Sequence, residues 1–319
     1  MLLRTVNRFD GSAMGLMMRY LISVLGVSAL MFPFFVVADS DDYAVVYPQV
    51  REPYAAIFRD YISGIRTEVA NIEEFSINGE GRGSMEAAFQ ETPPLLLFAL
   101  GNKSVKVVDD LKLNIPVVGA ITDRDYAKYL SAGVLLTPSA DVYLENLFQV
   151  YEGIPAVATV YDPGADQELI SMSEEILKEK GIDFTALPSS TIREAASAYR
   201  RILSEAEPRS AIWLLSNNKY LDSSILSMIL DIAWEKRLIV FASNPVFVKH
   251  GALFAIYPDN KGVGVTLGVM AKDVLSKEGG GLQPLKDVKL ALNERTRNHL
   301  GIDLSPSAQK KVELMLPGQ

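Results

Sequence analysis

From Tyr43 onward, short apolar runs alternate with stretches whose apolar residues recur every three or four positions. That alternation constrains the chain more than any other feature, because it is the pattern of βαβ units wound around mainly parallel sheets. The run Tyr43-Ala44-Val45-Val46-Tyr47 reads as a strand. The stretch 54–69 after it places Ile57, Phe58, Tyr61, Ile62 and Ile65 on one helical face. Strands at 95–100 and 115–121, a helix at 105–111 and a strand ending near Leu135 complete a first set, and a helix over 141–151 leads out of it. A second set reads as strands at 156–161, 186–187 (an edge), 211–215, 238–242 and 253–257, with helices at 167–180, 191–206, 223–237 and 263–275. Gly181 stops the first of these helices, and Gly279-Gly280-Gly281 reads as a loop.

At 319 residues the chain suits two lobes better than one oversized core. The expectation is an α/β protein of two Rossmann-like lobes with parallel sheets joined by a multi-strand hinge. The first lobe spans 43–137, completed by the helix at 263–276; the second spans 155–256; 277–319 crosses between them. In such sheets ligands bind at the carboxyl ends of the strands, so the loops that follow each strand are where function is sought.

Upstream, Arg19 precedes the apolar run from Tyr20 to Val37, which ends in Val36-Val37-Ala38 before Asp39-Ser40-Asp41-Asp42. A positive flank, an apolar middle and small residues before a polar start form an export signal, with cleavage expected after Ala38 and a periplasmic destination. An uncleaved anchor is the alternative, since an apolar stretch of 18 residues is near the lower bound for a span; Pro33 weakens it. Removing 1–38 takes away Arg4, Arg8, Arg19 and Asp10, so the formal charge goes from −8 to −10.

Composition closes off several classes. An acidic chain without clustered Lys and Arg is not built for nucleic acid. With no cysteine, disulfides, thiolate metal sites and a lipid-bearing cysteine are excluded, so the chain is not a lipoprotein. His250 and His299 are the only histidines and supply a zinc site or a His-based triad poorly. Gly79-Glu80-Gly81-Arg82-Gly83-Ser84 lacks the Lys-Ser/Thr ending of a P-loop and the GxGxxG spacing of a dinucleotide fold, and reads as a flexible loop. No GxSxG elbow is present. The expectation is no catalyst, no metal and no cofactor.

The second half resembles the ABC-type substrate-binding family that includes tryptophan and tyrosine importers, of the type I periplasmic-binding-protein fold. The resemblance rests on Val160-Tyr161-Asp162-Pro163, on Phe241-Ala242-Ser243-Asn244-Pro245 followed by Val248-Lys249-His250-Gly251, on Gly264-Val265-Thr266-Leu267-Gly268, and on Leu300-Gly301-Ile302-Asp303. It implies a monomeric solute-binding protein that closes on a small polar or amino-acid-like ligand and docks on an ABC permease. A sensor or adaptor with the same body is the alternative. The family's Thr-Asp pair corresponds to Thr122-Asp123 and its Asp-Asn to Asn217-Asn218. Its Phe-Ala-Ser-Asp is here Phe241-Ala242-Ser243-Asn244, which removes a carboxylate. Its small hydroxyl pair after the third strand is replaced by Gly101-Asn102-Lys103-Ser104, which adds a cation.

Tyr47, Asn102, Ser104, Thr122, Asp123, Tyr161, Asn217, Asn218, Asn244 and Asp259 are therefore the candidate ligand-binding residues. Those that follow apolar strands have a second reading as helix caps or turn formers, and Asn218 as the cap of the helix near Ser223. Trp213 and Trp234 read as core.

Overall fold

The computed structural model describes residues 43–77, 81–215 and 219–316. The expected signal segment and Asn217-Asn218 lie outside them. The order of elements is β1 Tyr43–Pro48, α1 Tyr54–Ile65, β2 Ile72–Ile77, α2 Gly81–Glu91, β3 Leu96–Leu100, α3 Asn102–Asp110, β4 Val117–Ile121, a 3-10 turn Arg124–Tyr129, and β5 Ala132–Pro138. It continues with α4 Ala140–Val150, β6 Ala156–Tyr161, α5 Pro163–Glu179, β7 Asp183–Pro188, α6 Ile192–Glu205, β8 Ala211–Leu214, α7 Ser223–Lys236 and β9 Ile239–Ala242. The last part is α8 Pro245–His250, β10 Phe254–Pro258, α9 Asn260–Ser276, β11 Gly281–Leu285, β12 Val288–Asn293, α10 Glu294–Leu300, α11 Pro306–Lys311 and β13 Val312–Leu316.

These strands form two sheets, β11-β5-β4-β3-β1-β2 and β13-β12-β10-β9-β8-β6-β7. Each contains the same doubly wound order, in which the first strand of the set (β1 or β6) sits between the second and the third. The apolar runs are the buried strands, as expected for parallel sheets covered on both faces: every residue of β3, β8 and β9 is buried, and in β3 none exposes any surface. All pairings of the first sheet are parallel. In the second, β12 runs antiparallel to β10, a departure from the expected parallel sheets: the chain re-enters this sheet directly from β11 of the first sheet, across only Lys286 and Asp287, and not through a helix packed on the second sheet as in the parallel units.

The chain passes between the sheets three times: through α4, at β10 to α9, and at β11 to β12. The last two passages are tied together. The Asp259 N–H donates to the Asp287 carbonyl at 2.8 Å, and Thr266 Oγ1 donates to the Asp287 carboxylate at 2.7 Å. Helix α9 packs against α1, and glycine makes that contact possible. A Cβ built on Gly64 would lie 2.1 Å from the Lys261 carbonyl oxygen, and one on Gly264 the same distance from that of Tyr61. The two backbones touch with no room for a side chain between them.

Several expectations change. Residues 81–84, read as part of a flexible loop, open α2; behind the glycines, Met85 and Phe89 stand one turn apart and are both buried, which outweighs the poor helix propensity of glycine. Gly281, also read as loop, begins β11 beside β5. Helix α9 starts at Asn260, where the Asp259 side chain accepts from the Gly262 N–H. The cap of α7 is Asp222, which accepts from the Ile225 N–H at 2.8 Å, not Asn218. Trp213 is core as expected, but Trp234 is 37% exposed.

One surface feature fixes a pH dependence. Arg297 donates to both oxygens of Glu294, at 2.7 and 2.9 Å, and to the Ile302 carbonyl. The guanidinium holds the Glu294 carboxyl below its ordinary value. A carboxylate with a depressed folded pKa contributes stability that is full above its unfolded value, about 4.3, and is lost as pH falls through the folded value. Thermal melts of wild type and Glu294→Gln are therefore expected to differ near neutral pH and to converge on acidification toward pH 3. A constant difference would remove the ion pair as its cause.

Candidate ligand-binding face

In both sheets the winding direction reverses beside the first strand, between β1 and β3 and between β6 and β8. A crevice opens at the carboxyl ends of strands on either side of such a switch point. The two faces approach each other: Arg124, just after β4, lies 3.8 Å from Glu168 on α5. Both side chains are exposed, so the pair contributes little stability, but it shows which ends of the two sheets are opposed.

On the first face, the chain turns from β3 into α3 through Gly101, whose φ of 87° favours glycine. Helix α3 has no side-chain cap, which leaves first-turn N–H groups facing the end of the sheet. Asn102 and Thr122 form a reciprocal pair: the Asn102 amide donates to Thr122 Oγ1 at 3.0 Å, and the Thr122 N–H donates to Asn102 Oδ1 at 2.9 Å. This pair locks the end of β3 to the end of β4. Ser104 is fully buried one turn in, and its hydroxyl has no hydrogen-bond partner among the described residues. Asp123 caps the 3-10 turn by accepting from the Asp125 N–H at 3.0 Å; no cation pairs with it among the described residues. Tyr47 is turned aside. Its ring stacks on Phe58 and its hydroxyl donates to Glu74 on β2 at 3.2 Å. Burial, with Glu74 next in effect, raises its pKa, so the phenol stays neutral.

On the second face, Tyr161 at the end of β6 donates to Gln167 Oε1 at 3.3 Å. Asp162 accepts from the Gly164 N–H and pairs with Lys219 at 2.9 Å. Lys219 and then the backbone N–H hold its carboxyl below the ordinary range. Asn244 accepts from the Val246 N–H at 2.9 Å. Beside it, the Ser243 hydroxyl is buried with no partner among the described residues. Asp259 lies at the crossing into α9, capping that helix 3.5 Å from Lys289.

The structure thus brings Asn102, Ser104, Thr122 and Asp123 together on one face and Tyr161 and Asn244 on the other, while Tyr47 points to β2 and Asp259 belongs to the hinge. Most of the loop-end Asn and Asp side chains are caps. Sequence reasoning passed over Lys219, which neutralises Asp162, and Ser243, although Ser243 lies inside a motif already singled out. Burial of a serine at a strand end is not written in its neighbours. The face contains neither histidine, because His250 ends α8 and His299 lies on α10, near the amino ends of β10 and β9.

Two lobes with the same doubly wound strand order, three crossings between them and opposed switch points define a type I periplasmic-binding-protein architecture. The model of the family described as ABC transporter substrate binding protein matches residues 141–312. This is more than half of the chain, which belongs to that family, a family of non-enzymatic solute-binding proteins. Among solved structures, the chain is similar to a ligand-free, open substrate binding protein with adhesive properties from Clostridium difficile (16% identity, TM-score 0.66, 87% of this chain and 100% of that one). It is also similar to an ABC domain in complex with L-Trp from Streptococcus pneumonia (18%, TM-score 0.52, 87% and 100%), and to a conserved domain protein from Vibrio cholerae (18%, TM-score 0.50, 86% and 100%). At these identities the likeness is one of fold. No curated protein matches the sequence.

Proposed function

We propose that this protein is the solute-binding component of an ABC importer, which takes a small polar or amino-acid-like solute between its lobes by hinge closure and presents it to an inner-membrane permease. It acts as a monomer in the periplasm, released after Ala38 by removal of the signal segment, without lipidation, cofactor or catalysis. The observation that carries this reading is that two of the buried hydroxyls without a partner among the described residues, Ser104 in the first turn of α3 and Ser243 just after β9, lie behind the carboxyl ends of the strands in opposite lobes. A buried polar group left unpaired costs about 1–3 kcal/mol, and a solute between the lobes would relieve both costs. Asn102, Thr122, Asp123, Tyr161 and Asn244 border the same crevice; Asn217 and Asn218, which follow β8 in the chain and lie outside the described residues, complete the proposed set.

Charge narrows the solute. Asp162 is neutralised by Lys219, and Asn244 carries no charge, so the second face offers no free carboxylate from these positions. On the first face Asp123 accepts an ammonium or hydroxyl, while Lys103 and the uncapped start of α3 favour a carboxylate. The L-Trp bound to the pneumococcal protein is consistent with an amino-acid-like ligand, although Asn244 and Lys103 favour a more polar or more anionic one here.

A thermal-shift screen of residues 39–319 against amino acids, small organic acids, nucleosides and sugars tests this. A solute that binds only the folded state at 100 times its Kd adds about 2.7 kcal/mol, so a dose-dependent rise in Tm is expected within one chemical class, weakened by Asp123→Ala. No rise with any class in a well-folded sample would favour the sensor or adaptor reading.

A further inference from the structure

A cavity of about 650 Å³ lies away from the strand-carboxyl face. It lies at the other pole of the second lobe, where α8 runs into β10 and β12 runs into α10. Trp234, Lys249, His250, Arg295 and Asp231 line it. Trp234 is held in place: the His299 ring stacks on it, 3.6 Å between centroids and 8° from parallel, and His299 Nε2 lies 3.0 Å from the Trp234 carbonyl. The Arg295 guanidinium also lies over the indole, 5.2 Å from the ring centroid. A guanidinium over indole is attracted by the ring quadrupole, which orients its donors before any ligand arrives.

The floor beneath these side chains is built from buried polar groups. Asn293 and Thr296 are 7% and 8% exposed. Asn293 donates to the Val248 carbonyl and accepts from the Thr296 N–H, both at 2.9 Å, and Thr296 Oγ1 donates to the Gly251 carbonyl at 3.0 Å. Together they fasten the end of α8, which carries Lys249, to the start of α10, which carries Arg295. Neither cation has an acidic or carbonyl partner among the described residues. With Asp231, the cavity carries a net positive charge.

We propose that this cavity is a second ligand site, separate from the crevice between the lobes, for a small carboxylate or phosphate anion. Lys249 supplies a point charge and Arg295 a planar fork that matches two oxygens of either group; Asp231 accepts from a hydroxyl or amine elsewhere on the ligand. The volume falls within the range of small-molecule sites, about 300–1,000 Å³, and a concave wall suits a small anion better than the flat surface of a protein partner.

Two tryptophans make the test direct. In a Trp213→Phe background Trp234 is the sole indole emitter, and its fluorescence is titrated with citrate and with inorganic phosphate at constant ionic strength; calorimetric titration of the wild-type protein serves as a second measurement that does not depend on that background. Saturable binding is expected with at least one of the two, weakened tenfold or more in Lys249→Gln/Arg295→Gln and unaltered in Asp123→Ala. Binding of citrate alone assigns a carboxylate, and of phosphate alone a phosphate. Absence of saturable binding by either anion, or equal binding in the double variant, overturns the proposal; loss in Asp123→Ala instead would return the binding to the crevice.

Discussion

Gly264→Val is expected to collapse the first lobe. The clash it creates is with the Tyr61 carbonyl, 2.1 Å from the new Cβ, and a backbone oxygen inside α1 cannot swing away as a side chain can. Helix α9 must lift from α1, and with it the cover over that lobe's core, where Val263, Leu267 and Ala271 are fully buried. Ordinary overpacking costs about 1–3 kcal/mol, and this case belongs at or beyond the upper end. For a chain of this size that is a fall in Tm of roughly 5 °C or more, or failure to recover folded protein. Gly83→Ala is the control. A Cβ there meets nothing within 4 Å, and relief of glycine's helix penalty makes the change neutral or slightly stabilising. Equal melting of Gly264→Val and wild type would refute the close approach of the two helices.

Trp213→Ala is the second large effect, and it falls on the second lobe. The indole is fully buried; its ring lies 4.9 Å from Tyr143 on α4 and 5.4 Å from Phe241 on β9, which in turn stacks on Phe254 of β10 at 5.6 Å. Truncation removes the centre of this row, at a cost of about 3–5 kcal/mol. Trp213→Phe should cost far less, because it keeps a ring and deletes an indole N–H that has no partner among the described residues. Denaturant melts of the two variants distinguish these effects. Similar losses in both would mean that the N–H, not the ring, holds the site together. Trp234→Ala removes a ring that is 37% exposed, together with its stack on His299, and should cost less than Trp213→Ala.

How far these features could be read in advance differs from element to element. Strands β1 and β6 were legible to within a residue because uninterrupted apolar runs between polar turns have few alternatives. Strand β2 was not: Ile-Glu-Glu-Phe-Ser-Ile is half-exposed at an edge of the sheet, so it lacks both an apolar run and strict alternation. Helix α2 was hidden by its glycines, since local propensity and the distant packing of Met85 and Phe89 point in opposite directions. The crevice was legible as a place but not as a list of contacts. Asn244 and Asp123 follow strands because helices and turns begin there, and a cap and a ligand contact place the same residue types at the same positions. Ser104 and Ser243 differ from these caps by a buried hydroxyl left unpaired among the described residues, a property shared with Ser189 and Ser210 and dependent on neighbours far away in sequence. Trp234 was misread for a similar reason, because its partners His299 and Arg295 come from α10, 60 residues or more downstream.

The seat of α9 on α1 also sets an order of events during synthesis. The groove along α1 is made early, but the helix that fills it is added only after β6 to β10 have been made. Until then Gly64 and the apolar residues around it have nothing to close over them, so the amino-terminal half cannot finish its own core as it leaves the ribosome. The contacts that complete this lobe are the last to become possible, at a sequence separation that slows their formation.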